Sequence, residues 1–123
     1  MSVRLGRVQL RIMQVLWEQR RATARDITDA LNADTPIAHS TVQTLLRNLE
    51  AKGAVGHEID GRTFIFFPTI AEQQVTKGAT RDVLDRMFGG SVANLVSYLL
   101  KHEKVSAEEL KQLRRLIDEQ TRK

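Results

Sequence analysis

The chain contains no cysteine. That absence excludes disulfides, thiolate metal ligands and cysteine nucleophiles, and it is compatible with a reducing compartment. No apolar run approaches the roughly 18–20 residues that a membrane-spanning helix needs, so no membrane insertion is expected. The opening MSVRLGRVQL lacks a long apolar core followed by small residues, so no signal peptide is expected either. A cytoplasmic setting follows as the expectation. The three histidines, His39, His57 and His102, are scattered with no carboxylate at ligand or triad spacing, and no phosphate-binding loop is present. No enzymatic activity, cofactor or metal site is therefore expected. Internal repeats and low-complexity tracts are absent as well.

A strong excess of charge of one sign is also lacking. The net charge is +4 and the sequence pI about 9.9, which permits nucleic-acid binding without requiring it. Before Pro68 nine Lys/Arg stand against seven Asp/Glu, and after it ten against eight, so charge alone does not place a binding face. What the chain does have is core material. With 41% hydrophobic and 28% charged residues over 123 positions, it fits one domain, or one compact domain with an appendage, and is not a disordered tail.

Periodicity divides that material into elements. A first helix is expected from about Gly6 to Gln19, with Val8, Ile12, Val15 and Leu16 on one side and Trp17 as a core anchor. Thr23 with Asp26 forms a close relative of the capping box and opens a second helix carrying Ile27, Ala30 and Leu31. Pro36 disfavours helix at Thr35, and Ser40 or a neighbour can cap the next helix, which ends near Lys52 at Gly53. Two extended segments, Ala54–Ile59 and Thr63–Phe67, flank Asp60-Gly61, a dipeptide favoured in tight hairpins. The remainder reads as helical. Thr69 with Glu72 repeats the capping spacing, Gly89-Gly90 breaks the helix, and Ser91 and Ser106 cap two more, Ser106 with Glu109 to close the box and a Val105–Leu110 staple.

Three helices followed by a two-stranded hairpin is the layout of a winged helix-turn-helix, in which the third helix enters the DNA major groove. The expected fold is thus mainly α: a winged-helix unit over residues 1–68 and an all-helical unit over residues 69–123. The third helix, within IAHSTVQTLLRNLEAKG, supports the reading. Val42, Leu45, Leu46 and Leu49 make its buried stripe, while Ser40, Thr41, Gln43, Thr44, Arg47 and Asn48 make the other side. A merely solvated face would carry more Glu and Lys and fewer Thr.

Short hydroxylated side chains permit close approach to a groove, and the longer ones reach base edges. Thr41 and Thr44 offer methyl groups to thymine and hydroxyls to phosphate. Gln43 matches adenine, and Arg47 matches guanine or phosphate. Ser40 suits a backbone contact, and His39 a groove or phosphate neighbour. Arg62, at the hairpin tip, is placed for phosphate or a narrow minor groove. Arg11, Arg7 and Arg25 are further phosphate candidates with weaker support.

The stretch STVQTLLRNLEAKGAVGHEIDGRTFIFFP resembles the recognition helix and wing of the penicillinase repressor family, which includes methicillin-resistance regulators and copper-responsive repressors. The matching run is Thr41-Val42-Gln43-Thr44-Leu45-Leu46, then Leu49, Lys52 and Gly53, then Gly61-Arg62-Thr63-Phe64. The family's opening pattern is matched by Leu5, Ile12, Met13, Leu16 and Trp17, with Gln9 in place of a Glu. A later one is matched by Ser106, Glu109, Leu110 and Leu113.

The resemblance implies a homodimeric repressor that binds a palindromic operator in double-stranded DNA and dimerises through its C-terminal helices. The family's recognition-helix contacts fall on Ser40, Thr41, Gln43, Thr44 and Arg47, and its wing contact on Arg62. Dimerisation is expected to use Val92, Leu95, Val96 and Leu99 together with Leu110, Leu113, Leu116 and Ile117. These stripes exceed what a small helix cluster buries alone.

Two departures concern release from DNA. Copper-responsive members carry C-x-C pairs, which a chain without cysteine cannot supply. Penicillinase-type members are cleaved by a sensor protease between Asn and Phe, where this chain has Tyr98-Leu99. The main competing reading is a winged helix that binds protein and no specific DNA. Large apolar residues would mark the outward face of the third helix in that case, and that face carries Thr, Gln, Ser and Arg.

Overall fold

The computed structural model describes residues 4–123, and the chain divides after Thr80 into two units. The N-terminal unit is built in the order α1 (Arg7–Gln19), β1 (Ala22–Thr23), α2 (Ala24–Asn32), α3 (His39–Ala51), β2 (Val55–Asp60) and β3 (Thr63–Pro68). Then follow α4 (Glu72–Phe88), within which the division falls, α5 (Val92–His102) and α6 (Ala107–Thr121).

Apolar spacing places one face of each of the first three helices inward. Ile12, Met13 and Leu16 of α1 pack with Ile27 and Leu31 of α2 and with Val42, Leu46 and Leu49 of α3. Val42, Leu46 and Leu49 are fully buried while Leu45 is half-buried. Each such side chain contributes about 1.5–3 kcal/mol on leaving water. Ala54, Val55 and Phe66 close the core from the sheet side.

The local end signals mostly form. Thr23 Oγ1 accepts from Asp26 N–H at 3.0 Å, and Asp26 Oδ2 accepts from Thr23 N–H at 3.1 Å, completing the box at α2. Gly53, at φ 81°, ends the α3 turn in the left-handed region. Ser91 and Ser106 accept from the N–H groups of Asn94 and Glu109.

Four local expectations are corrected. The sheet has three strands, in the order β1-β3-β2, because Ala22 and Thr23 pair with Phe66 and Ile65. The cap of α3 is Ala38, with no side-chain bond, and Ser40 lies inside the helix. Asp60 pairs with Thr63, so Gly61 and Arg62 are the central turn residues, with Gly61 at φ 65°. Thr69 does not cap α4. Its hydroxyl donates to the Gly53 carbonyl at 2.7 Å, and Gln74 Oε1 instead accepts from Ala71 N–H at 3.0 Å.

Two longer ties fix the N-terminal unit. Trp17 is half-buried and donates through Nε1 to the Ile70 carbonyl at 2.9 Å. It therefore both packs and anchors the segment leading into α4. Gln9, buried where a charged residue would need a full partner, accepts through Oε1 from Gly6 N–H and from Lys52 Nζ, each at 2.9 Å. Lys52 Nζ also donates to the Arg4 carbonyl at 2.8 Å, so the C-terminal end of α3 is tied to the start of α1. In the C-terminal unit, Phe88 and Tyr98 meet edge-on with centroids 5.7 Å apart. No residue of α5 or α6 is fully buried.

Candidate nucleic-acid interface

The inward stripe of α3 turns the rest of that helix outward. Ser40, Thr41, Gln43, Thr44, Arg47 and Asn48 are all exposed, and His39 at the first position is half-buried. Thr44 Oγ1 donates to the Ser40 carbonyl at 3.1 Å and accepts from Arg47 Nη2 at 3.3 Å. Its hydroxyl hydrogen is thus directed to the backbone, and Arg47 is held beside it.

Three segments distant in sequence enclose a concavity of about 490 Å³. Thr23, Ala24 and Arg25 come from the start of α2. His39, Gln43 and Arg47 come from α3, and Arg62, Thr63, Phe64 and Phe66 from the hairpin. Among the described residues no Asp or Glu lines it, while three Arg do. An anion therefore meets only favourable charge there, and the concave, low-dielectric walls strengthen that field.

The hairpin is held against α3 by a specific link. His57 Nδ1 of β2 donates to the Glu50 carboxylate at 2.7 and 2.8 Å. The same ring stacks on Phe64, with centroids 4.3 Å apart and planes 6° from parallel. Arg21 pairs with Glu58 and ties the approach to β1 to the hairpin. These contacts set where Arg62 lies relative to Gln43 and Arg47.

Of the residues expected at the site, His39, Gln43, Arg47 and Arg62 are brought together around the concavity. Ser40, Thr41 and Thr44 share the exposed side of α3 without lining it. Arg11 is not gathered there: its Nη2 donates to the Leu31 carbonyl at 3.2 Å, at the end of α2. Arg25, the weaker candidate, does line it. Thr23, Thr63 and Phe64 were not anticipated as lining residues. Nor was Thr28, whose hydroxyl lies 2.9 Å from His39 Nδ1. A threonine set between Ile27 and Leu31 on a buried face was the available signal for it.

The stripes expected for dimerisation leave much apolar surface uncovered in the single chain. Val92, Leu99, Leu110, Leu116 and Ile117 are exposed, and Leu95, Val96 and Leu113 are half-buried. Among the described residues no helix is long and apolar enough to cross a membrane.

Known proteins resemble this chain. The penicillinase repressor of Bacillus licheniformis is 27% identical over 111 residues, covering 90% of this chain and 87% of that protein. The methicillin resistance regulatory protein MecI of Staphylococcus aureus (strain N315) is 21% identical over 107 residues, covering 87% of each. The Bacillus licheniformis repressor BlaI, solved as a monomeric form in complex with the blaP half-operator, superposes with a TM-score of 0.52 at 27% identity. That match covers 60% of this chain and 90% of the other. The penicillinase repressor family matches residues 5–119. The chain belongs to the penicillinase repressor family, a family of transcriptional repressors and not of enzymes.

Proposed function

We propose that the chain acts in the cytoplasm as a homodimeric repressor that recognises a palindromic operator. Each subunit lays α3 in the major groove and the β2–β3 hairpin along the backbone. The observation that carries the reading is the acid-free concavity holding Arg25, His39, Gln43, Arg47 and Arg62 beside the exposed threonine side of α3. Arg25 and Arg62 neutralise phosphate, which supplies affinity and its salt dependence. Gln43 and Arg47 carry the paired hydrogen-bonding groups for bidentate bonds to adenine and guanine, and Thr41 and Thr44 offer methyls to thymine. His39 and Ser40 flank the backbone as the helix enters the groove. Arg11, already bonded to Leu31, serves the packing of α1 on α2.

Support for the half-site mode comes from the related BlaI monomer, which was solved on a half-operator. Two such units related by a dimer axis require inverted half-sites. The exposed stripes of α5 and α6 supply an apolar surface for that association. The relatives' names, penicillinase repressor and methicillin resistance regulatory protein, support β-lactam resistance genes as the class regulated. Release by a sensor protease needs one that accepts Tyr98-Leu99 in place of Asn-Phe. The protein-interaction reading is disfavoured because the outward side of α3 presents no large apolar residue.

Selection of duplexes by the full-length chain from a random-sequence library, followed by sedimentation of the complex, tests the proposal. The expected product is a pair of inverted half-sites about one helical turn (~10 bp) or a multiple apart, bound by two chains. Failure to enrich any sequence would overturn it.

A further inference from the structure

His39 carries a consequence beyond its place in the concavity, resting on the DNA-binding reading above. Thr28 sits inside α2 and its hydroxyl has one hydrogen. Oγ1 lies 2.8 Å from the Ala24 carbonyl, which can only accept. That hydrogen is therefore directed to Ala24, and the Thr28 oxygen is left to accept from the His39 ring at 2.9 Å. Nδ1 of His39 must then carry its proton, which fixes the tautomer of the neutral ring. Nε2 is in that state an acceptor with no hydrogen.

Phosphodiester oxygens are acceptors too. A neutral His39 in this orientation cannot donate to one, whereas a protonated ring donates through Nε2 while keeping its bond to Thr28. The charged groups that line the concavity with His39 are Arg25 from α2, Arg47 from α3 and Arg62 from the hairpin, and no carboxylate lines it among the described residues. The concavity thus offers no carboxylate to a charged ring among the described residues, and a DNA phosphate would supply an anion. An anion beside a histidine favours its charged form, and histidine is the side chain that changes charge between about pH 5 and 8.

We propose that His39 is a proton-linked phosphate contact: duplex binding charges its ring, and each bound winged unit takes up a proton. The sign follows from linkage, since the bound state holds more protons than the free state. Affinity is strongest at low pH and declines as pH rises through the histidine range. Thr28 acts as a positioning residue, because its bond to Nδ1 leaves Nε2 as the nitrogen turned to the phosphate.

The test uses the full chain and two duplex probes, one selected by the chain from a random library and one of scrambled sequence, at constant ionic strength. Wild-type affinity for the selected duplex is expected to fall about fivefold per bound unit between pH 6 and pH 8. Calorimetry in two buffers of different ionisation enthalpy should count the protons taken up. His39→Gln should flatten the pH dependence and abolish that uptake, while His102→Gln keeps both. Thr28→Val should weaken binding at pH 6 more than at pH 8, and Thr28→Ser should restore the wild-type profile. Thermal melts of each variant separate these effects from misfolding. Tight, selective binding that is independent of pH, or a pH dependence that survives His39→Gln, would overturn the proposal while leaving the repressor reading intact. Equal binding of selected and scrambled duplexes at every pH would remove the reading beneath it.

Discussion

The helices of the N-terminal unit and those that end the chain use the same apolar spacing and reach opposite results. In α1 to α3 the stripe residues Ile12, Leu16, Val42, Leu46 and Leu49 are 0% exposed. In α5 and α6 residues at equivalent spacing stay open, with Val92 63% and Ile117 61% exposed. The physical difference is what stands opposite. Three crossing helices and a sheet face one another in the first case, and their stripes close a core. Within their own unit α5 and α6 have no sheet and too little facing surface to do the same. The lesson is that i, i+3, i+4, i+7 spacing says a face is to be covered and does not say by what.

Substitutions on the two sides test that difference. The largest effect is expected at Leu46→Ala, which should cost about 2–5 kcal/mol through the cavity it leaves. Denaturant unfolding of the full chain checks it. Leu116→Ala, measured at dilutions where the chain is monomeric, should cost far less. Equal losses at the two positions would erase the contrast. Next comes Leu116→Asp, expected to convert dimers to monomers and to lower affinity for a two-half-site duplex by about 10²-fold, the avidity of a linked second site. Sedimentation showing an unchanged dimer would refute that use of the stripe.

Smaller effects separate the outward face of α3 from the core behind it. Gln43→Ala should reduce discrimination between selected and random DNA by about 1–3 kcal/mol with little change in melting temperature. Thr23→Ala should do the reverse, losing about 1 kcal/mol of stability by removing the cap of α2. Arg62→Ala should weaken all duplexes alike and reduce the salt slope by about one unit. A change in sequence preference there would instead place Arg62 on base edges.

Much of the architecture was legible because it is written locally. The stripe of α3, the Thr23–Asp26 box and the stop at Gly53 all depend on residues within a turn or two of one another. The strand β1 was not legible. It has two residues, and what makes it a strand is its pairing with Phe66 and Ile65 more than forty positions away. Thr69 misled for a related reason: its hydroxyl donates to the Gly53 carbonyl, sixteen positions back, and does not accept from the first turn of α4. The site divides in the same way. Gln43 and Arg47 follow from the face of one helix, but the concavity needs Arg25, α3 and the hairpin together, and no spacing relates them. Thr28 became visible only when the fold set its hydroxyl against His39. Arg11 shows the converse, a basic residue whose partner proved to be a helix-end carbonyl.

The outward side of α3 is expected to read base sequence. The most direct measurement is a competition at matched salt between a duplex selected by the chain and the same base pairs in scrambled order. A preference of about 10³-fold or more is expected of a specific repressor, and equal affinity for the two duplexes would mean that α3 does not read sequence.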